Sequence, residues 1–252
     1  MLEVNAMLDA YCTSDELAAA APEMAVLGVG AVEQHSHHLP VGTDWIGASE
    51  MSRRVAEKLG AFWVPALPFS MSQCHGPMAG TVWLKPETLA EVVRDLVLSL
   101  AQWGVRKVVV INSHGGNFML EVAIQELNLA HPDLQVILVP PLVLTAPGEE
   151  PIFETVGLEV HAGESETSSQ LYLNGEHVKE ERVDYIPPVG REFLDYAFIS
   201  HISPHGVWGT PSKATADKGE KAAIRQVEAT VAHVRRVFAE LDRVKGARGQ
   251  DA

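Results

Sequence analysis

The chain has 252 residues, and its 46% hydrophobic content is sufficient for the core of one large domain. Acidic residues outnumber basic ones by 33 to 19, and the formal net charge of −14 argues against binding to nucleic acid or to anionic lipid. The two cysteines, Cys12 and Cys74, lie far apart in sequence, so neither a disulfide framework nor a thiolate zinc site is expected.

The first half of the chain alternates between apolar runs and helical patterns. Met24–Val29 is predicted as a buried strand, residues 46–59 as a helix that stops at a glycine, and Phe62–Leu67 as a second strand. A helix is predicted to begin at Pro86, and residues 107–111 then form a strand. This succession is a β-α-β unit, which is typical of a parallel sheet.

The second half continues the alternation. Residues 118–130 have a helical pattern, residues 134–139 are strand-like, and residues 168–173 fall in a further helix. Near the C-terminus, apolar residues recur at alternating steps of three and four over positions 224–241, which predicts an amphipathic helix packed on the core. We therefore predict a single α/β domain over residues 1–252, with a largely parallel central sheet and helices on both faces.

Neither a secretory signal at the N-terminus nor a run of about 18 apolar residues is visible in the sequence. Together with the sparse cysteines, this predicts a cytoplasmic protein without a membrane segment. A small-molecule substrate is then the expected partner, because parallel α/β sheets bind ligands at the carboxyl ends of their strands.

Three polar segments contain most of the chemically interesting side chains. They are residues 33–44, 112–117 and 161–168, and the first two directly follow predicted strands. Imidazoles and carboxylates are ligands of zinc, manganese and iron, and Glu33 and His35 point the same way if that stretch is extended. Asp44 has two oxygens and could bridge two ions. Taken singly, each histidine could instead be a surface or hydrogen-bonded loop residue.

The segments also carry a recognisable set of ordered motifs. Five stretches of the chain resemble the signatures of the creatininase (creatinine amidohydrolase) family. They are EQHSHHLP at 33–40 with GTD at 42–44, GT at 80–81 with PETL at 86–89, NSHGGN at 112–117, HAGESETS at 161–168, and GV at 206–207 through PSKATADKG at 211–219. The resemblance extends from about residue 26 to the C-terminal helix. Five motifs in order make a strong signal.

The resemblance implies a three-layer α/β/α fold and a site for two divalent ions, which could be zinc, manganese or iron. Glu33, Asp44 and His114 would hold one ion, and His35 and Asp44 the other. In creatininase itself a further carboxylate comes from two residues after the loop histidine, but this chain has Gly116 there. The sequence is thus closer to the branch with H-G-G-N, and Glu166 is predicted as the substitute ligand.

The same resemblance suggests roles for other residues. His161 matches a histidine that shuttles a proton during amide cleavage, and Glu164 would orient His161 or cap the following helix. His75 is expected to border the pocket, although a surface loop is nearly as plausible. His37 and His38 could hydrogen-bond a metal ligand without touching metal.

The function implied is metal-dependent hydrolysis of a carbon–nitrogen bond other than an ordinary peptide bond, through a hydroxide that bridges the two ions. Substrates in the family include cyclic amides, formamides, a small peptide and ring ketones of the inosose type. The alternatives are therefore carbon–carbon or ring-ketone hydrolysis at the same site, and a non-catalytic metal-binding subunit of an assembly. The family is commonly hexameric, so a homohexamer is expected by resemblance.

Overall fold

The computed structural model describes residues 7–140 and 150–247, and in 246–247 the backbone only. Its centre is a four-stranded sheet in the order β2-β1-β3-β4, in which every pair of neighbouring strands is parallel. The strands are β1 (Met24–Val29), β2 (Phe62–Leu67), β3 (Lys107–Asn112) and β4 (Gln135–Val139). The predicted parallel α/β fold is confirmed.

Seven α-helices connect or flank these strands in the described part of the chain. They are α1 (Ser14–Ala20), α2 (Thr43–Leu59), α3 (Pro86–Gln102), α4 (Met119–Ala130), α5 (Glu164–Asn174), α6 (Ile199–Ile202) and α7 (Ala216–Ala247). In residues 7–140 and 150–247, none of the helices combines the length and apolar character needed to cross a bilayer.

The core lies in two layers, one on each face of the sheet. On one face, Leu27 and Val29 of β1 pack with buried side chains of α3 and α4. On the other face, Val26 of β1 packs with buried side chains of α2 and α7. Alternate residues of β1 thus enter opposite layers, as the two-residue period of a strand requires. The strand is apolar throughout because both of its faces are covered.

Helix α2 lies close to β1, and a glycine in the strand makes this contact possible. A Cβ at Gly28 would stand 2.7 Å from the carbonyl oxygen of Ala48 and 2.8 Å from Ser52 Oγ. Only glycine therefore permits this approach. The close contact brings the first turn of α2, which contains Asp44, to the carboxyl end of β1.

The long C-terminal helix departs from its prediction at one position. Val227, Val231, Val234 and Phe238 are buried against the sheet, as the spacing predicted. Ile224 is 48% exposed, so its assignment to the packed face is wrong. The helix also begins well before that stripe, at Ala216, because its first turns contact α5 and not the sheet.

Candidate metal centre

The predicted ligands meet at the carboxyl ends of β1 and β3. Glu33 and His35 follow β1, and His114 follows β3. Asp44 lies in the first turn of α2, and Glu166 lies in the first turn of α5. Helix N-termini favour negative charge. Burial nevertheless raises the pKa of Glu166 to about 7, whereas for Asp44 the nearby His35 and His114 outweigh burial and lower the pKa.

The described residues contain three three-residue groups whose ligand atoms lie within 4.8 Å of one another, and one of these groups is Glu33, His35 and His161. The other two groups are Glu33, Asp44 and His114, and His35, Asp44 and Glu166. Asp44 belongs to both groups: its Oδ2 is 3.0 Å from His114 Nδ1, and its Oδ1 is 3.4 Å from His35 Nε2. The structure therefore brings together all five residues that the sequence singled out, in a cluster that shares one carboxylate.

Backbone carbonyls fix which ring nitrogen each histidine presents to the cluster. His114 Nε2 lies 2.7 Å from the carbonyl oxygen of Met71, so Nε2–H donates there and Nδ1 faces Asp44. His35 Nδ1 lies 3.1 Å from the carbonyl oxygen of Glu33, which leaves Nε2 facing Asp44 and Glu166. Such hydrogen bonds orient the rings of metal-binding histidines.

The cluster contains buried polar atoms without hydrogen-bond partners. These are both carboxylate oxygens of Glu33, Asp44 Oδ2 and His35 Nε2. Burial of polar atoms without hydrogen-bond partners is costly, and their proximity to one another suits the binding of divalent cations. The residues present thus fit a site for divalent metal with oxygen and nitrogen ligands.

The charges of the metal-free cluster are strongly coupled. Burial lowers the pKa of His35, but Asp44 and Glu166 outweigh it and raise this pKa to about 10. Burial likewise lowers the pKa of His114, whereas Glu33 and Asp44 raise it to about 9. Without metal, protons on these two rings therefore balance part of the carboxylate charge.

His161 and His75 form a second tier of imidazoles beside Glu33. His161 Nδ1 and His75 Nε2 each lie 3.6 Å from Glu33 Oε1, and the two ring centroids are 4.4 Å apart. Burial holds the pKa of His161 well below its usual value and lowers that of His75 to about 3. Both rings are thus neutral near pH 7. His75 is 3% exposed, so the prediction that it borders the pocket is confirmed, and the surface-loop alternative is wrong.

Gln34 connects these imidazoles, a role that the sequence did not reveal. Its side-chain amide donates to His75 Nδ1 at 2.9 Å and to the carbonyl oxygen of Gly206 at 3.2 Å. Its main-chain carbonyl accepts from His161 Nε2 at 2.7 Å. Only the position of Gln34 between two predicted ligands could have drawn attention to it.

Glu164 has different neighbours from those expected. Its Oε2 accepts hydrogen bonds from the main-chain N–H groups of Glu154 and Thr155 and from the Thr155 hydroxyl, and its Oε1 pairs with Lys218 Nζ at 2.5 Å. Both oxygens are engaged, and neither is bonded to His161. The prediction that Glu164 orients His161 needs correction, since this carboxylate instead ties the segment before α5 to the start of α7.

The other two histidines of the first motif differ in burial. His38 is fully buried, and its Nε2 lies 3.0 Å from the Thr167 hydroxyl on α5. Burial lowers the pKa of His38 to about 4. His37 is exposed and packs edge-on against the ring of His205. His38 therefore joins the first motif to α5, whereas His37 points away from the cluster.

Gly116 occupies a position without room for a side chain. A Cβ there would lie 2.5 Å from His114 Nε2 and 2.5 Å from the carbonyl oxygen of Met71. It would therefore disrupt the hydrogen bond that orients His114. The loop cannot contribute a carboxylate from this position in its present conformation, whereas Glu166 reaches the cluster from the first turn of α5.

The backbone is strained at the residue directly after each of two site histidines. Ser36 and Ala162 have φ angles of 59° and 50°, although neither is glycine. They directly follow His35 and His161 in sequence. The N–H of Ala162 donates to Glu166 Oε2 at 2.6 Å, which helps to hold that carboxylate in place. Left-handed conformations of this kind are costly and are concentrated at functional sites.

Comparison with known proteins agrees with this geometry. The sequence model of the family described as "Creatininase: Creatinine amidohydrolase" matches residues 10–234. The chain belongs to the creatininase family. It is accordingly a hydrolase of amide carbon–nitrogen bonds in a metal-dependent family, and the match spans all three polar segments.

Named members of the creatininase family align over most of the chain. It is 30% identical over 239 residues to a mycofactocin precursor peptide peptidase from Mycobacterium tuberculosis, with 89% of each protein covered. It is 32% identical over 216 residues to a creatinine amidohydrolase from Pseudomonas putida, covering 77% of this chain and 82% of that protein. A solved structure titled "Creatininase Mn" superposes with a TM-score of 0.77 at 26% identity, over 92% of this chain and 99% of that one.

Proposed function

We propose that the chain hydrolyses a small amide with two divalent ions bound by Glu33, Asp44 and His114 and by His35, Asp44 and Glu166. The observation that carries this proposal is the buried cluster itself, in which four polar atoms have no hydrogen-bond partner and two groups of candidate ligands share Asp44. The metals proposed are zinc, manganese or iron, and the similarity to a manganese form of creatininase supports manganese among them.

Bound ions at such a site lower the pKa of a water molecule and polarise the carbonyl oxygen of an amide. The protein supplies the geometry. Asp44 belongs to both groups, and Glu33 and Glu166 each complete one of them. Since the two histidines are anchored by backbone carbonyls, the ligand atoms are held in place before any ion arrives.

His161 is proposed as the residue that carries the proton. Its Nε2–H donates to the carbonyl oxygen of Gln34, so Nδ1 is unprotonated and lies 3.6 Å from Glu33 Oε1. A neutral imidazole with a free nitrogen beside the cluster can accept a proton from the attacking water and deliver it to the departing nitrogen. Glu164 has no part in this step, because both of its oxygens are engaged elsewhere.

The proposed substrates are cyclic amides, formamides and small peptides. The absence of a side chain at Gly116 separates the chain from creatininase itself, and the similarity to a peptidase that acts on a precursor peptide favours the peptide class. We further propose that the chain forms a homo-oligomer and that residues 1–252 make up a single domain, as the family resemblance suggests. The two free cysteines support a cytoplasmic location.

A substrate screen tests the proposed reaction. Protein loaded separately with manganese, zinc or iron is incubated with cyclic amides, formamides, short peptides and inososes, and products are identified by mass. We expect an amine or ammonia to be released, and exhaustive chelation to abolish turnover. Release of a carbon–carbon cleavage product without amine would favour the ring-ketone alternative, and activity that persists without metal would refute the proposal.

A further inference from the structure

A cavity of about 820 Å³ opens over the candidate metal centre and is rich in acidic groups. Four carboxylates line it: Glu33, Glu166, Glu192 and Asp195. Arg191 is the one arginine or lysine among the described lining residues. A permanent cation inside an otherwise acidic cavity attracts a ligand group of negative charge.

Arg191 is anchored but not neutralised. Its Nη2 donates to the carbonyl oxygen of Gly115 at 2.9 Å, and within the described residues no carboxylate lies within 4.0 Å of its guanidinium. By contrast, Arg53 and Arg94 form ion pairs with nearby glutamates. A guanidinium has five N–H donors in a fixed fork, so most of those of Arg191 have no protein acceptor.

The anchor also determines where the free donors lie. Gly115 directly follows His114, whose ring contacts Asp44. The guanidinium therefore contacts the H-G-G-N loop at the residue next to His114. Phe118 and Leu194 line the same cavity and contribute apolar surface to it. This arrangement suits a short molecule with a polar group at each end.

We propose that Arg191 is a specificity-determining residue that binds a carboxylate of the substrate while the amide to be cleaved lies over the metal centre. This inference rests on the proposed amide hydrolysis and narrows its substrate class. The substrate would be a small amide with a carboxylate a few bonds from the scissile bond, such as a peptide near its C-terminus. The planar fork of arginine matches a carboxylate through two parallel hydrogen bonds.

The test compares paired probes on metal-loaded protein. An N-acetylated dipeptide with a free C-terminal carboxylate and the same dipeptide with a carboxamide are titrated by calorimetry into wild type, Arg191→Gln and Arg191→Lys. We expect the acid to bind wild type at least about tenfold more tightly than the carboxamide. Arg191→Gln should abolish that preference, and Arg191→Lys should retain only part of it.

Arg106→Gln is the matched control, because Arg106 is also exposed and held by backbone carbonyls but is not among the residues that line this cavity. It should keep the preference for the acid. The carboxamide should bind wild type and Arg191→Gln equally, which shows that the loop carrying His114 is intact. An acetylated phosphoethanolamine serves as a third probe for a phosphate group.

Several results would overturn the inference. A preference for the acid that persists in Arg191→Gln would mean that the metal centre binds the carboxylate. Equal binding of acid and carboxamide to wild type, tighter binding of the phosphate probe, or binding of no probe would also contradict it. Failure of the proposed function would look different from failure of this inference. In that case the metal-loaded protein would turn over none of the amides, but wild type would still bind the acid more tightly than the carboxamide.

Discussion

His114 and Met71 are joined by a hydrogen bond of 2.7 Å between the Nε2–H of the histidine and the main-chain carbonyl oxygen of the methionine. This contact turns Nδ1 of His114 toward Asp44, 3.0 Å away. One side of the metal centre therefore depends on a main-chain group in the loop after β2, and Gly116 is the residue that leaves room for this bond.

Gly116→Ala should remove the orientation of His114. The added Cβ would stand 2.5 Å from both partners of the hydrogen bond, neither of which is the end of a flexible chain. We expect a 10- to 100-fold loss of metal affinity or activity, about the range seen when residues supporting metal ligands are changed. Gly115→Ala is the control for metal affinity alone, since its Cβ would meet only the flexible end of Arg191, at 3.0 Å, and Arg191 is proposed to bind substrate and not metal. Equal metal content in the two variants would contradict this reading.

Glu164→Gln should affect stability and leave the metals in place. Glu164 is fully buried and pairs with Lys218, whose side chain is 19% exposed. The substitution leaves that ammonium without its buried partner, and we expect about 1–3 kcal/mol of destabilisation in urea unfolding. Metal content measured by elemental analysis should equal that of wild type. Loss of an ion would instead restore Glu164 to the active site.

Gln34→Leu should slow turnover without emptying the site. The amide of Gln34 holds the ring of His75 and is not itself among the atoms that could bind metal. Leucine is of similar size and cannot donate a hydrogen bond. We expect a decrease in kcat of about tenfold or more, with two ions retained. An unchanged kcat would show that the orientation of His75 does not matter for the reaction.

Metal loading should release protons. In the metal-free protein the pKa values of His35 and His114 are raised to about 10 and 9, so both rings are protonated at pH 7. Binding of two ions must displace about two protons from these rings, together with any proton on Glu166, whose pKa burial raises to about 7. Apparent metal affinity should therefore rise with pH up to about 9–10. Calorimetric titrations in buffers of different ionisation enthalpy measure the number released. Binding without proton release would contradict the assignment of both histidines as ligands.

The sheet was predictable because its strands are continuous apolar runs. Two strands, Met24–Val29 and Phe62–Leu67, have the predicted bounds, and the other two differ by one residue. Helices α2 and α5 begin three and four residues earlier than predicted. Their first turns contain Asp44 and Glu166, and polar residues that serve a site interrupt the apolar periodicity on which a helix prediction depends.

The site was predictable only as far as its ligand types. The motifs predicted that Glu33 and His114 lie together, because imidazoles and carboxylates at strand ends suggest metal, and the structure brings these side chains within 3.4 Å of each other. The hydrogen bond of Gln34 with His75 and that of Arg191 with Gly115 join residues that are 41 and 76 positions apart in sequence. Such contacts arise from tertiary packing and have no local sequence pattern. The same is true of the partners of Glu164.

Anomalous X-ray diffraction from crystals of manganese- or zinc-loaded protein tests the central claim most directly. We predict two metal peaks per chain, one among Glu33, Asp44 and His114 and one among His35, Asp44 and Glu166. In Glu166→Gln the second peak should be lost or strongly weakened while the first remains. A single peak, peaks at other residues, or two full peaks in Glu166→Gln would contradict the account.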